Sequence, residues 1–266
     1  MKIIAFIKKD IYIMLSYRFK LILQFFAFFL SLVFLYYISK TFSGNISPYL
    51  KEYKGDYFSY ALIGIAISSF VSVGLHSFSN DIRSSQIQGT LEALMCTPTS
   101  IYIILLGNSM WSFLSSFITS ILLLILGVVF FNFNITLMIV FFSLLVLSLV
   151  FIAFLLVGML SASFIMVFKQ GNPINIIFGY SSYFFGGVIF PVEVLPKPFQ
   201  MISLILPITH GVNALRDLLL SNKSITDVSE VILRLIIFII IIAPISLITF
   251  HMAIKRAKKD GSLVQY

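Results

Sequence analysis

Long apolar runs, cut by short polar stretches, set the pattern of this chain. Residues 21–39 carry no Asp, Glu, Lys or Arg, and neither do residues 57–80. Between Glu92 and Lys169 there is no charged side chain at all. A helix rises about 1.5 Å per residue, so roughly 20 apolar residues cross a bilayer. The uncharged stretch is therefore too long for one crossing. The polar turn Asn132-Phe133-Asn134 divides it into spans predicted over 101–131 and 135–168. A fifth span is predicted over 172–190. A sixth is predicted over 235–254, kinked at Pro244, which removes one backbone hydrogen bond. The pattern reads as an all-α polytopic membrane protein with six transmembrane helices.

Three segments between or before these spans have their own periodicity. In residues 1–20, Ile4, Ile7, Ile11, Met14 and Leu15 fall on one helical face, and Lys2, Lys9, Ser16 and Lys20 on another. That is the pattern of an amphipathic interfacial helix, with a plain membrane anchor as the simpler reading. In residues 81–100, Thr90 to Met95 favours helix and Pro98 stops it. Leu91, Leu94 and Met95 form an apolar stripe with Glu92 and Gln88 pointing elsewhere. This is either a ridge offered to a partner or an ordinary inter-span loop. Residues 191–230 contain Pro191, Pro196, Pro198 and Pro207, yet also apolar runs over 201–206 and 218–220. Such runs are too short to span and suit short re-entrant helices between spans five and six. The chain thus divides into an interfacial helix, 1–20, and a membrane domain, 21–266.

Composition sharpens this reading. The chain is 59% hydrophobic and 11% charged, against about 25% charged in a soluble domain. A net charge of +8 would suggest nucleic acid in a soluble protein. Here the basic residues flank apolar spans, so they set topology and meet anionic membrane lipids, with no nucleic acid implied. With six spans, eleven of the 18 Lys and Arg residues fall on the side of the termini and seven on the other. Both termini are therefore expected in the cytoplasm, with the chain multi-pass in the plasma membrane. The basic N-terminus lacks the features of a cleavable signal peptide. The single cysteine, Cys96, permits no intrachain disulfide and is expected near the cytoplasmic face.

Catalytic signatures are missing. No phosphate loop, no His-Glu-x-x-His and no Gly-x-Ser-x-Gly occurs, and no acid sits in the middle of a predicted span. The reading is therefore a non-enzyme with no catalytic residues, metal or cofactor of its own. His76 and His251 are expected at the cytoplasmic ends of spans two and six, as interfacial residues or, less simply, a proton relay; His210 lies far from both in sequence. Gly158 with Ala162, and Gly64 with Ser68, have the four-residue spacing that lets helices approach. Gly186-Gly187 places flexible backbone where span five meets the outer loop.

Two stretches resemble the membrane subunit of type-2 ATP-binding-cassette (ABC) exporters. The first is Arg83 to Ser100, with Gln88-Gly-Thr-Leu-Glu-Ala-Leu and Thr97-Pro-Thr-Ser. The second runs Gly186-Gly-Val-Ile-Phe-Pro191, Leu195-Pro196, Leu206-Pro-Ile-Thr-His210 and Ala214-Leu-Arg216. The resemblance covers essentially the whole chain and looks closest to the drug- and antibiotic-resistance branch. It implies an ATPase-coupling helix carrying Arg83, Gln88, Gly89, Thr90, Leu91, Glu92, Leu94, Thr97 and Pro98. Gln88 departs from the acidic residue common there. It also implies an outer gate built on Gly186, Gly187, Phe190, Pro191, Pro196, Pro207, His210 and Arg216. Two copies, as a homodimer or with a close paralogue, would dock two ATPase subunits, which bind the ATP and Mg. The expected cargo is a hydrophobic or amphipathic drug, antibiotic, peptide or lipid-like molecule, since the interior is aromatic and aliphatic, with 29 Phe in the chain. Export of a polysaccharide or lipid-linked glycan is the alternative, as is a non-transporting assembly subunit. A six-span membrane enzyme would need buried acids, histidines or a nucleophile around a cavity.

Overall fold

The computed structural model describes residues 2–42, 57–131, 136–169, 171–221 and 225–260. The predicted turn Asn132-Phe133-Asn134, and the basic residues Lys51, Lys54 and Lys223, lie outside the described residues. Among those described there are ten α-helices and no strand. They are α1 (Lys2–Ser16), α2 (Arg18–Phe42), α3 (Tyr57–Ile87), α4 (Leu91–Met95) and α5 (Ile101–Phe131), then α6 (Leu137–Phe168), α7 (Pro173–Phe185), α8 (Lys197–Ile205), α9 (Pro207–Leu219) and α10 (Ile225–Lys259). The chain is an all-α polytopic membrane protein. Four of its helices, α3, α5, α6 and α10, are long and apolar enough to cross a bilayer. The 25-residue α2 reaches about 37 Å at the helical rise.

The predicted fifth span does not continue to residue 190. The 13-residue α7 is only about 20 Å long, short of a hydrocarbon core of about 30 Å. The break has a local cause. At Gly186 a Cβ would lie 2.1 Å from the Ser182 carbonyl oxygen, and Gly187 sits at φ +71°, a region side chains avoid. Other boundaries shift as well. The chain breaks at Tyr17, so Arg18 and Lys20 begin α2 rather than closing the interfacial helix. The second span extends seven residues past Asn80 to Ile87, and α10 starts at Ile225, inside the predicted loop.

Packing centres on α3 and α6, which run along each other. Two glycines bring their backbones together: a Cβ on Gly158 would lie 2.5 Å from the Gly74 carbonyl oxygen, and one on Gly74 would lie 2.9 Å from Phe154 Cβ. Without lipid-phase hydrophobic drive, such close backbone contact is what holds membrane helices together. Phe70, Phe78, Val150, Phe154 and Val157 fill the seam and are fully buried. The far side of α6 packs on α10, α5 packs on α3, and α9 lies across α3, α6 and α10. Outside this core, α2 meets α3 through Leu35 against Phe58, Ala61, Leu62 and Ala66. Phe26, Phe29 and Phe34 on α2, and Ile240 and Ile248 on α10, are large apolar side chains exposed at the surface.

Candidate functional site

The Gln88-Gly-Thr stretch folds as a helix stop. The N–H of Gly89 donates to the Gln86 carbonyl at 3.1 Å, and that of Thr90 donates to Ser85 at 2.9 Å. Gly89 itself sits at φ +67°. This is a Schellman cap, and it ends α3 and turns the chain into α4. Thr97 Oγ1 donates to the Leu94 carbonyl at 2.7 Å, and Pro98 follows, so the segment ends as abruptly as it begins. Leu91 is fully buried in the main core, and Met95 packs against it. The apolar stripe expected to face a partner is thus turned inward, with Leu94 half-buried beside it. On α4 itself Glu92 and Ala93 are exposed, and around it Arg83, Gln88, Thr90, Thr97 and Pro98 also lie at the surface. Asn80, Arg83, Ser84, Ile87 and Gln88 line a shallow groove of about 240 Å³ next to it.

At the opposite end of α3, two of the residues assigned to an outer gate, Gly187 and Arg216, meet in a hydrogen-bonded cluster. Arg216, on α9, has no exposed surface. Its Nη1 donates to the Gly187 carbonyl at 2.7 Å, Nη2 to Val188 at 3.0 Å and to Tyr60 at 2.9 Å, and Nε to Tyr60 at 3.2 Å. The guanidinium carbon lies 3.3 Å from the centroid of the Tyr60 ring, a close cation–π contact. Tyr60 Oη donates to Gly187 at 3.2 Å. Gly64 permits this approach, because a Cβ there would stand 2.1 Å from the Val188 carbonyl oxygen. One side chain therefore binds the start of α3, the break after α7, and α9. Pro191 caps a 3-10 turn, and Pro196 and Pro207 set the starts of α8 and α9. Phe190 is half-buried. His210 Nε2 lies 2.8 Å from the Leu204 carbonyl; a carbonyl only accepts, so that nitrogen carries the proton.

Between the two ends, α3 and α7 enclose a groove of about 250 Å³. Ser68, Ser72, His76, Ser182 and Tyr183 line it together with Val71, Leu75, Gly179 and Ile208. His76 is therefore a groove residue packed against α7, more than the interfacial residue that its position in the chain predicts. Its Nδ1 lies 3.0 Å from Asn175 Nδ2, which also donates to Ser79 Oγ at 2.9 Å. Sequence reasoning missed Asn175 and Asn172; an Asn-Pro-x-Asn opening to an apolar span was the available signal. Tyr60 left none, because its role rests on a backbone carbonyl and a ring face. His251 is exposed on α10, away from this groove.

The N-terminal helix docks instead of merely lying beside the bundle. Phe6, Ile7, Asp10 and Met14 of α1 are half-buried, while Ile11 and Leu15 of the expected apolar face are exposed. Phe6 covers Gly107 of α5, where a Cβ would lie 2.6 Å from the ring. Lys9 Nζ donates to Asn108 Oδ1 at 3.2 Å and pairs with Asp10 at 3.3 Å. Asp81 of α3 lies close to Asn108. Among the described residues no group of His, Cys, Asp and Glu side chains could hold a metal ion.

A family model described as ABC-2 type transporter matches residues 3–220. No curated protein matches the chain.

Proposed function

The chain belongs to the ABC-2 type transporter family, as the membrane subunit of an ABC transporter, and from that premise we infer that it is an export permease driven by a separate ATPase. The family association implies such an ATPase partner. In this reading two copies, identical or closely related, form the translocator in the plasma membrane with both termini cytoplasmic. Six crossings per chain follow if α2 and the α7–α9 region each complete a passage. Two ATPase subunits bind ATP and Mg and dock at the α4 end. The cargo is a hydrophobic or amphipathic molecule leaving the cell past the α3–α7 groove, which gives the drug-efflux reading its support.

The observation that carries this reading is the build of α4. Leu91 plugs the segment into the core, while Gln88, Thr90, Glu92 and Thr97 stay at the surface. A lever needs both a rigid root and a free contact face. A partner can drive a conformational change only through contacts that differ between two states. An ATPase that closes on ATP and reopens after hydrolysis would supply that difference through this face.

Co-purification of the chain with the ATPase of the neighbouring reading frame tests the reading, followed by ATP hydrolysis in lipid nanodiscs. The expected result is a stable complex whose hydrolysis rises with amphipathic compounds. Glu92→Arg should abolish that stimulation and leave membrane insertion intact. Full stimulation and transport in Glu92→Arg would remove α4 from the coupling role, and the absence of any ATPase complex would overturn the exporter reading.

A further inference from the structure

Within the α3–α7 groove, the hydrogen bonds around one asparagine determine which way a histidine ring presents its proton. Ser79 Oγ donates to its own helix, to the carbonyls of Leu75 and His76, both at 3.2 Å. Its single proton is used there, so toward Asn175 the hydroxyl can only accept. The atom of Asn175 facing it at 2.9 Å must then be the amide nitrogen. A reversed amide would draw the hydroxyl proton off the helix and turn both amide hydrogens toward the buried position, without a partner, that Oδ1 now holds. The second hydrogen of the same Nδ2 points to His76 Nδ1 at 3.0 Å. Nδ1 is therefore an acceptor, and the neutral ring carries its proton on Nε2.

The asparagine is itself held in place. Its backbone N–H donates to Asn172 Oδ1 at 3.2 Å, and Ser161 Oγ bonds the same oxygen. Asn175 is only 3% exposed, and its Oδ1 is buried without a hydrogen-bond partner. Leaving that acceptor unmatched is unfavourable, and it is a cost of pointing the amide nitrogen at Ser79 and His76. The ring lines the groove, and Nε2–H is its remaining polar atom. A second polar group stands in the same wall: Ser182 is 1% exposed and its Oγ has no partner.

We propose that His76 is a specificity residue: its Nε2–H recognises a hydrogen-bond acceptor, a carbonyl or ether oxygen, on an otherwise apolar and uncharged molecule. The body of that molecule lies against Val71, Leu75, Gly179 and Ile208. No carboxylate lines the groove, so a cation entering it would lose its hydration without a counter-charge. Asn175 is a positioning residue, acting through the tautomer of His76. This deepens the export reading and rests on it for the direction of movement, but the site itself is defined by the chain alone.

The test uses the full chain in lipid nanodiscs with benzophenone, whose carbonyl is both the acceptor and the photoreactive group. Label should map to peptides of α3 and α7. Dibenzyl ketone should compete for it and its hydrocarbon analogue diphenylpropane should not. His76→Leu should cut groove labelling about fivefold, the worth of one hydrogen bond, and His76→Gln, which keeps an N–H donor, should restore most of it. Asn175→Leu should lower labelling with His76 intact, and imidazole nitrogen NMR should then show mixed tautomers where the unaltered chain shows one. Gly179→Leu should block labelling without disturbing the NMR signal, because a Cβ at 179 meets nothing closer than Leu75 Cδ1 at 3.9 Å. Equal labelling of His76→Leu and the unaltered chain, or equal competition by diphenylpropane, would overturn the proposal. No ATPase enters these measurements. A chain that binds the ketone yet never couples to an ATPase refutes the export reading alone, and a coupled chain indifferent to His76 refutes the site alone.

Discussion

Arg216 carries a full charge with no exposed surface, and it is stable there because its donors meet the carbonyls of three residues and its plane covers the Tyr60 ring. Arg216→Met keeps the volume and removes the donors. The carbonyls of Tyr60, Gly187 and Val188 would then be buried without these partners, at about 1–3 kcal/mol each. A loss of about 3 kcal/mol or more should appear as a lowered thermal midpoint in detergent. Arg216→Lys should recover less than half of it, since one ammonium cannot reproduce the planar fork. The Ala214-Leu-Arg motif singled Arg216 out in the sequence. It could not supply the partners, because a backbone carbonyl looks the same at every position in a sequence.

Among elements, α1 shows how a helix can be legible in a sequence while its docking partner is not. Its amphipathic period was legible, but its docked face is set by Gly107 and Asn108, almost a hundred residues away. Phe6 fits where Gly107 leaves room, and that rotates Ile11 and Leu15 outward. Gly107→Leu should lift α1 from α5 and release the Lys9–Asn108 contact. Trypsin cleavage at Lys8 and Lys9 in nanodiscs should quicken about tenfold, since such cleavage reports local opening. An unchanged rate would show that α1 is held by lipid alone. The same reasoning explains α4: residues Leu91 and Met95 had the period of a ridge, and period alone does not say whether a ridge faces in or out.

For the molecule as a whole, the span pattern was legible because hydrocarbon accepts only long helices whose backbone bonds close internally. The long apolar runs emerged as α2, α3, α5, α6 and α10. The end of α7 was not legible, because residues 186–190 are as apolar as a span and differ from one only in two glycines. Nor was the central pairing. Gly158 was noticed with Ala162 on its own helix, while its true counterpart is Gly74 on α3. Gly158→Leu should force α3 and α6 apart along their whole seam. Overpacking a core costs about 1–3 kcal/mol or more, so the nanodisc-embedded chain should melt earlier and α10, which leans on α6, should lose protection in hydrogen exchange.

The serines of α3 have a consequence for biosynthesis. Ser68, Ser69, Ser77 and Ser79 each donate to a carbonyl of their own helix, three or four residues back. A hydroxyl bonded this way meets lipid without a bare donor, so α3 can leave the ribosome and settle in the bilayer before its later partners exist. Asn175, with two amide hydrogens to satisfy, is made almost a hundred residues afterwards. It arrives when Ser79 and His76 are already in place, and the order of translation therefore has acceptors waiting for both of its amide hydrogens.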